Sequence, residues 1–130
     1  MNDTLKINQL VQDYKMAIHT QDESFFKSLW TASPTDTMIS ITHQYVGLDS
    51  IYADFLINRI QKAYQEITLI EDSQPVIHFL DESTAIVIFE YHTECIKRDT
   101  LAPYGIQGLE TQVVKKINQE WKLAHVHYSK

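Results

Sequence analysis

A chain of 130 residues, 44% apolar and 22% charged, has room for one core and buries roughly two thirds of its unfolded surface without a staple. Its formal net charge of −6 repels phosphate backbones, so no nucleic-acid partner is expected, and Lys115, Lys116 and Lys122 read as the solvated rim of a hairpin. The single cysteine, Cys95, excludes an internal disulfide. The first residues lack a basic stretch followed by an apolar run, and no segment approaches the roughly twenty apolar residues of a membrane span, so the expected location is the cytoplasm.

Only three glycines and three prolines occur, with no linker-like stretch and no repeat, and residues 1–130 are read as a single domain. Leu5, Leu10, Tyr14, Ala17 and Ile18 fall near a 3.6-residue period, which predicts a helix over about residues 4–19. Asp22 and Ser24 offer N-cap oxygens to a short second helix carrying Phe25, Phe26, Leu29 and Trp30, and Ser33-Pro34 ends it. A third helix enters through Gly47 and runs from about Asp49 to Tyr64 on Ile51, Phe55, Leu56 and Ile60. Met38–His43 is a short apolar-rich run. The second half then changes to β-branched and aromatic segments at Ile67–Ile70, Val76–Leu80, Thr84–Lys97, Leu109–Ile117 and Trp121–Tyr128. Residues 81–83 and 118–120 are hairpin-sized turns. The expected class is α+β, three helices followed by an antiparallel meander.

Both faces of the longest strand begin apolar. One carries Ile86, Ile88, Glu90, His92 and Glu94, and the other Ala85, Val87, Phe89, Tyr91, Thr93 and Cys95. One face should cover the helices, and the other calls for a second subunit. The switch from apolar to polar at Glu90 and His92 is the pattern of a pocket lining, because a carboxylate on a core-facing strand is costly unless paired or wet. Strict alternation groups Trp121, Leu123, His125 and His127 on one side of the last strand, and Glu110, Gln112 and Val114 on one side of the strand before it. Period alone does not say which side meets the helices.

The stretch Leu109-Glu110-Thr111-Gln112-Val113-Val114, with Trp121-Lys122-Leu123-Ala124-His125-Val126-His127-Tyr128-Ser129, resembles the final hairpin of SnoaL-like domains of the nuclear transport factor 2-like superfamily. It is most similar to the association domain of calcium/calmodulin-dependent protein kinase II, as is Gly47-Leu48-Asp49. The resemblance covers essentially the whole chain and implies a strongly curved, cone-like sheet wrapped on the three helices, with a pocket between. Arginines that line that pocket in the association domain are replaced here by Glu90, Gln112 and Tyr128. The resemblance therefore implies a pocket at these three positions, suited to a neutral or cationic ligand or to a carboxylate base. It places Trp121, His125 and His127 on the outer face. Leu10-Val11-Gln12-Asp13-Tyr14 is similar to the first helix of ketosteroid isomerases, where a tyrosine donates into an oxyanion hole. The aspartate base of those enzymes has no counterpart in Met38–Thr42, so Tyr14 is read as a pocket wall.

The candidate ligand-binding residues are thus Tyr14, Glu90, His92, Gln112 and Tyr128, with Glu90 and His92 as candidate catalytic acid–base groups and His43 as a weaker rim residue. His125 and His127 share a strand face, but no third or fourth ligand accompanies them, and no metal or cofactor is expected. Cys95 reads as a small buried hydrophobe. Two functions fit: a small-molecule-binding protein, or a cofactor-independent isomerase, cyclase or hydrolase. An oligomerisation module is a third reading. A homodimer or larger assembly is expected through the face carrying Phe89, Tyr91, His125 and His127.

Overall fold

The structure, a computed structural model, describes residues 2–130. Helix α1 (Asp3–Thr20) starts where the Asn2 side chain accepts from the Leu5 N–H and stops at Gln21, whose left-handed backbone (φ 59°) returns its N–H to the Ala17 carbonyl. Helix α2 (Glu23–Ser28) is capped by Asp22, whose carboxylate accepts from the Phe25 N–H at 2.8 Å. After a loop closed on the buried Asp36, strands β1 (Thr37–Ser40) and β2 (His43–Val46) form a hairpin whose tight turn uses Ile41 at φ 57°. Helix α3 (Leu48–Ser50) then widens into π-helical winding over Ile51–Gln61, ending where the Lys62 N–H reaches back to the Ile57 carbonyl. The remaining strands are β3 (Tyr64–Glu71), β4 (Val76–Asp81), β5 (Thr84–Lys97), β6 (Pro103–Tyr104), β7 (Gln107–Ile117) and β8 (Glu120–Tyr128).

The sheet runs β2-β1-β8-β7-β5-β3, with β4 and β6 also paired to β5. It is antiparallel except where β1 lies parallel to β8. The sheet curls as a half-barrel around the helices. No helix among the described residues is long and apolar enough to cross a membrane. Asn118 and Gln119, both at positive φ, make the two-residue turn between β7 and β8.

The concave side of β5 carries Ala85, Val87, Phe89 and Tyr91, all fully buried against Tyr14, Phe26 and Leu56 of the core. This inverts the expected facing. Phe89 and Tyr91 belong to the interior, while Glu90 and His92 lie on the convex side. The outer alternate residues Ile86 and Ile88 are only half-buried, so an apolar stretch exists on both faces and the inner one is selected by bulk. The large rings of Phe89 and Tyr91 fill the space under the helices, which is where apolar area is best removed from water.

A second departure lies on β8. Val114 pairs with Leu123 but Val113 pairs with His125, leaving Ala124 as an extra residue, a β-bulge. The bulge reverses the parity of the strand. Trp121 and Leu123 therefore point inward with Val126 and Tyr128, while His125 and His127 turn outward. The outer position of the two histidines agrees with the expectation; the outer position of Trp121 does not. Its indole lies in the core beneath the start of α1, donating to Asp3 at 3.0 Å with Phe79 edge-on at 6.1 Å.

Candidate functional site

A cavity of about 520 Å³ opens at the end of the half-barrel. Its deep walls are the buried Phe55, Ile67, Leu69, Tyr91, Cys95 and Tyr128; its outer walls are Thr42, Asn58, Arg59, Ala63, Tyr104 and Lys130, which are exposed. Two close approaches build this mouth. A Cβ on Gly105 would lie 2.2 Å from the Thr93 carbonyl, so glycine lets the loop bearing Tyr104 and Ile106 press onto β5. A Cβ on Gly108 would lie 2.0 Å from the Ser129 carbonyl, so the chain can pass tightly over β7 and bring Lys130 to the cavity. Tyr64 and Tyr104 stack at 5.9 Å along one side.

Polar atoms at depth are already engaged. The Tyr91 hydroxyl donates to the Ser129 carbonyl at 3.0 Å, the Tyr14 and Tyr128 hydroxyls share a 2.5 Å hydrogen bond, and Thr93 Oγ1 accepts from the Ile106 N–H. Burial drives the Tyr14 and Tyr128 hydroxyls well above the ordinary phenol range, with the nearby Glu110 adding to the effect, and pushes Tyr91 up to about 12 for the same reasons. All three are neutral phenols at physiological pH.

The buried carboxyl of this interior is Glu110 on β7, beside Gln112. Neither is exposed, and Gln112 Nε2 donates to Glu110 Oε2 at 2.7 Å. Glu110 Oε1 and Gln112 Oε1 find no partner among the described residues. Desolvation raises the Glu110 carboxyl to about 8, so it is largely protonated at neutral pH. Glu71 and Lys15, paired at 2.7 Å beneath α1, are close enough to act on it electrostatically, Glu71 raising and Lys15 lowering its pKa.

The five predicted ligand-binding residues separate into two groups. Tyr14, Gln112 and Tyr128 converge inside, although only Tyr128 lines the cavity. Glu90 and His92 do not join them. Glu90 is exposed on the convex face, where β5 changes partner from β4 to β3; the intervening loop pins its backbone, Asp72 donating its N–H to the Glu90 carbonyl and Ser73 Oγ accepting the Glu90 N–H. His92 lies between Asp72 at 2.7 Å and Glu94 at 3.0 Å, and the hydrogen bonds to Glu94 and Asp72 raise its pKa. The polar switch on β5 is therefore a surface feature, and the assignment of Glu90 and His92 as acid–base groups of the cavity is withdrawn. Glu110 was visible as the same-side neighbour of Gln112. Arg59 carried no signal beyond its place on a helix. His43 does sit beside the rim, 3.2 Å from Arg59 Nη1. His125 and His127 rings lie 6.1 Å apart, and no metal-holding cluster occurs among the described residues.

No family model matches the sequence, and no curated relative does either. Solved structures do match. A nuclear transport factor 2-like superfamily protein from Salmonella enterica serovar Typhimurium superposes with a TM-score of 0.91 at 29% identity, over 96% of this chain and 88% of that one. The fold is that of the nuclear transport factor 2-like superfamily. A hexachlorocyclohexane dehydrochlorinase from Novosphingobium barchaimii (TM-score 0.82, 13% identity, 95% of this chain and 83% of that one) shares it. So does a candidate calcium/calmodulin-dependent protein kinase II association domain from Xanthomonas campestris (0.80, 14%, 99% and 88%). At such identities these two matches speak to the fold alone. The cavity lies where β3 and β5 extend beyond the β5–β7 pairing, and Ile67, Leu69, Thr93 and Cys95 on that extension line it.

Proposed function

We propose that this protein binds a small, largely apolar organic molecule in the cavity between sheet and helices. The observation that carries the reading is the cavity itself, about 520 Å³ walled by Phe55, Tyr64, Tyr91, Tyr104 and Tyr128, with its deep polar groups already engaged by the protein. A space of that size and lining is typical of sites that take a drug-sized ligand and desolvate most of it. Catalysis has lost the two residues first considered for it, and binding is the simpler function for the geometry that remains.

Self-association through the convex face is part of the proposal. Ile86, Ile88 and Val113 lie half-exposed there beside His125 and His127, so burying this patch against a second copy removes apolar area from water. Phe89 and Tyr91, which lie inside, take no part.

The test is occlusion. Leu69→Phe adds a ring to a residue already buried in the deep wall. Binding of naphthalene-2-carboxamide, followed by tyrosine and naphthalene fluorescence, should be lost while circular dichroism and melting stay near wild type. Unchanged binding to the variant would mean the cavity is not the site.

A further inference from the structure

The charged side chains that line the cavity are of one sign only. Among the described residues no aspartate or glutamate lines it, whereas Arg59 and Lys130 do. That is unexpected for a chain with 17 acidic and 11 basic side chains. Neither cation is paired with a carboxylate among the described residues; the ion pairs lie elsewhere, on Lys15, Lys27, His92, Lys116 and Lys122. Among the described residues Arg59 makes one side-chain hydrogen bond, from Nη1 to the neighbouring His43 ring at 3.2 Å, leaving other guanidinium donors for a ligand. Two further cations back the rim: Arg98 donates to the Gln61 and Tyr64 carbonyls, and Lys97 sits 5.7 Å over the Tyr104 ring.

The division between depth and mouth sets an orientation. At depth, the Tyr91, Tyr128 and Thr93 oxygens are engaged by the protein and the remaining wall is aliphatic or aromatic, so a charged group there would be desolvated without partners. At the mouth, a carboxylate stays partly hydrated and meets a guanidinium built for two parallel hydrogen bonds. We infer that the cavity takes an amphiphilic organic anion, its aromatic or alkyl body inside and its carboxylate-like group held at the mouth by Arg59 with Lys130. The inference rests on the ligand-binding reading above and reverses the neutral or cationic ligand that a carboxylate at position 90 suggested.

Three isosteric probes test it: naphthalene-2-carboxylate, naphthalene-2-carboxamide and 2-naphthylmethylammonium, titrated by fluorescence at low and high salt. The carboxylate should bind about five- to tenfold tighter than the amide, and the ammonium more weakly than either. Raising the salt should compress that order. Arg59→Gln should remove most of the carboxylate preference and leave amide affinity within about twofold, Arg59→Lys should restore part of it, and Lys115→Gln, on the far hairpin, should change nothing. Amide binding as tight as carboxylate binding, or equal weakening of all three probes by Arg59→Gln, would overturn the inference while leaving the ligand-binding reading intact. Failure of every probe to bind would count against both.

Discussion

Replacing Glu110 by glutamine should make the protein more stable, and increasingly so as pH rises. Glu110 is fully buried, its Oε1 lacks a partner among the described residues, and burial holds its carboxyl near 8 against an ordinary value of 4.5. Because the folded pKa is raised, the native state holds its proton where the unfolded chain has released it. The stability associated with this group is therefore complete below about pH 4.5 and is lost progressively until about pH 8, above which both states are ionised. The loss runs at no more than about 1.4 kcal/mol per pH unit, reaching on the order of 3 kcal/mol by pH 7 and 5 kcal/mol by pH 9. Glutamine keeps the shape and the oxygen that accepts from Gln112, and does not ionise. Urea unfolding of wild type and Glu110→Gln at fixed protein concentration, from pH 4.5 to 9, isolates the effect, because His92, Asp3 and other titrating groups cancel in the difference. The expected result is a difference near zero at pH 4.5 that grows in favour of the variant up to pH 8 and then levels. A difference that does not vary with pH would show that Glu110 ionises as if in water and that the interior is wet.

Trp121→Ala should cost about 3–5 kcal/mol, since it empties a buried ring site and strands Asp3 without its indole donor; a loss under about 1 kcal/mol by chemical denaturation would place the ring at the surface. Glu90→Gln should change stability by less than about 0.5 kcal/mol and leave cavity binding intact, as expected for an exposed convex-face residue. Val113→Glu should shift the light-scattering mass toward the monomer by placing a charge in the proposed subunit contact, and an unchanged mass would refute the convex interface. Asp22→Ala should destabilise by about 1 kcal/mol through loss of the α2 cap, measured by thermal melting.

The helices were legible because their signals are local. Asp22 caps α2 as expected, and Leu10, Tyr14, Ala17 and Ile18 of α1 do face inward, whereas Leu5, expected on the same face, is exposed and Ile7 and Val11 are buried in its stead. Strands β5, β7 and β8 announced themselves through β-branched content over long runs. The two-residue strand β6 and the four-residue β2 were too short to carry a pattern, and the π-helical winding of Ile51–Gln61 preserves apolar spacing well enough to read as an ordinary helix. Facing was not legible. Ile86 and Ile88 on one side and Val87 and Phe89 on the other are equally apolar, and one extra residue at Ala124 defeats any rule of strict alternation along β8.

The same cause explains where the expected site residues fall. Gln112 and Tyr128, taken from positions that correspond across a shared fold, and Tyr14, taken from a local helix resemblance, lie inside. Glu90, taken from the same correspondence as well as from alternation along β5, and His92, taken from alternation alone, lie on the convex face, because neither source contained the facing of β5. Once β5 is paired with β7, Phe89 lies opposite Glu110 and Val87 opposite Gln112, so the acid that shares a face with the core aromatics is Glu110. Buried charge is decided by the neighbour across the ladder more than by the sequence along the strand. Charge at the cavity mouth is one step further removed, because Arg59 and Lys130 are 71 positions apart and share an opening only once the π-helical segment Ile51–Gln61 and the residues after β8 line the same cavity. A sequence with an overall acidic balance can therefore hide a cationic cavity, and the sign of a net charge is a poor guide to the sign of a ligand.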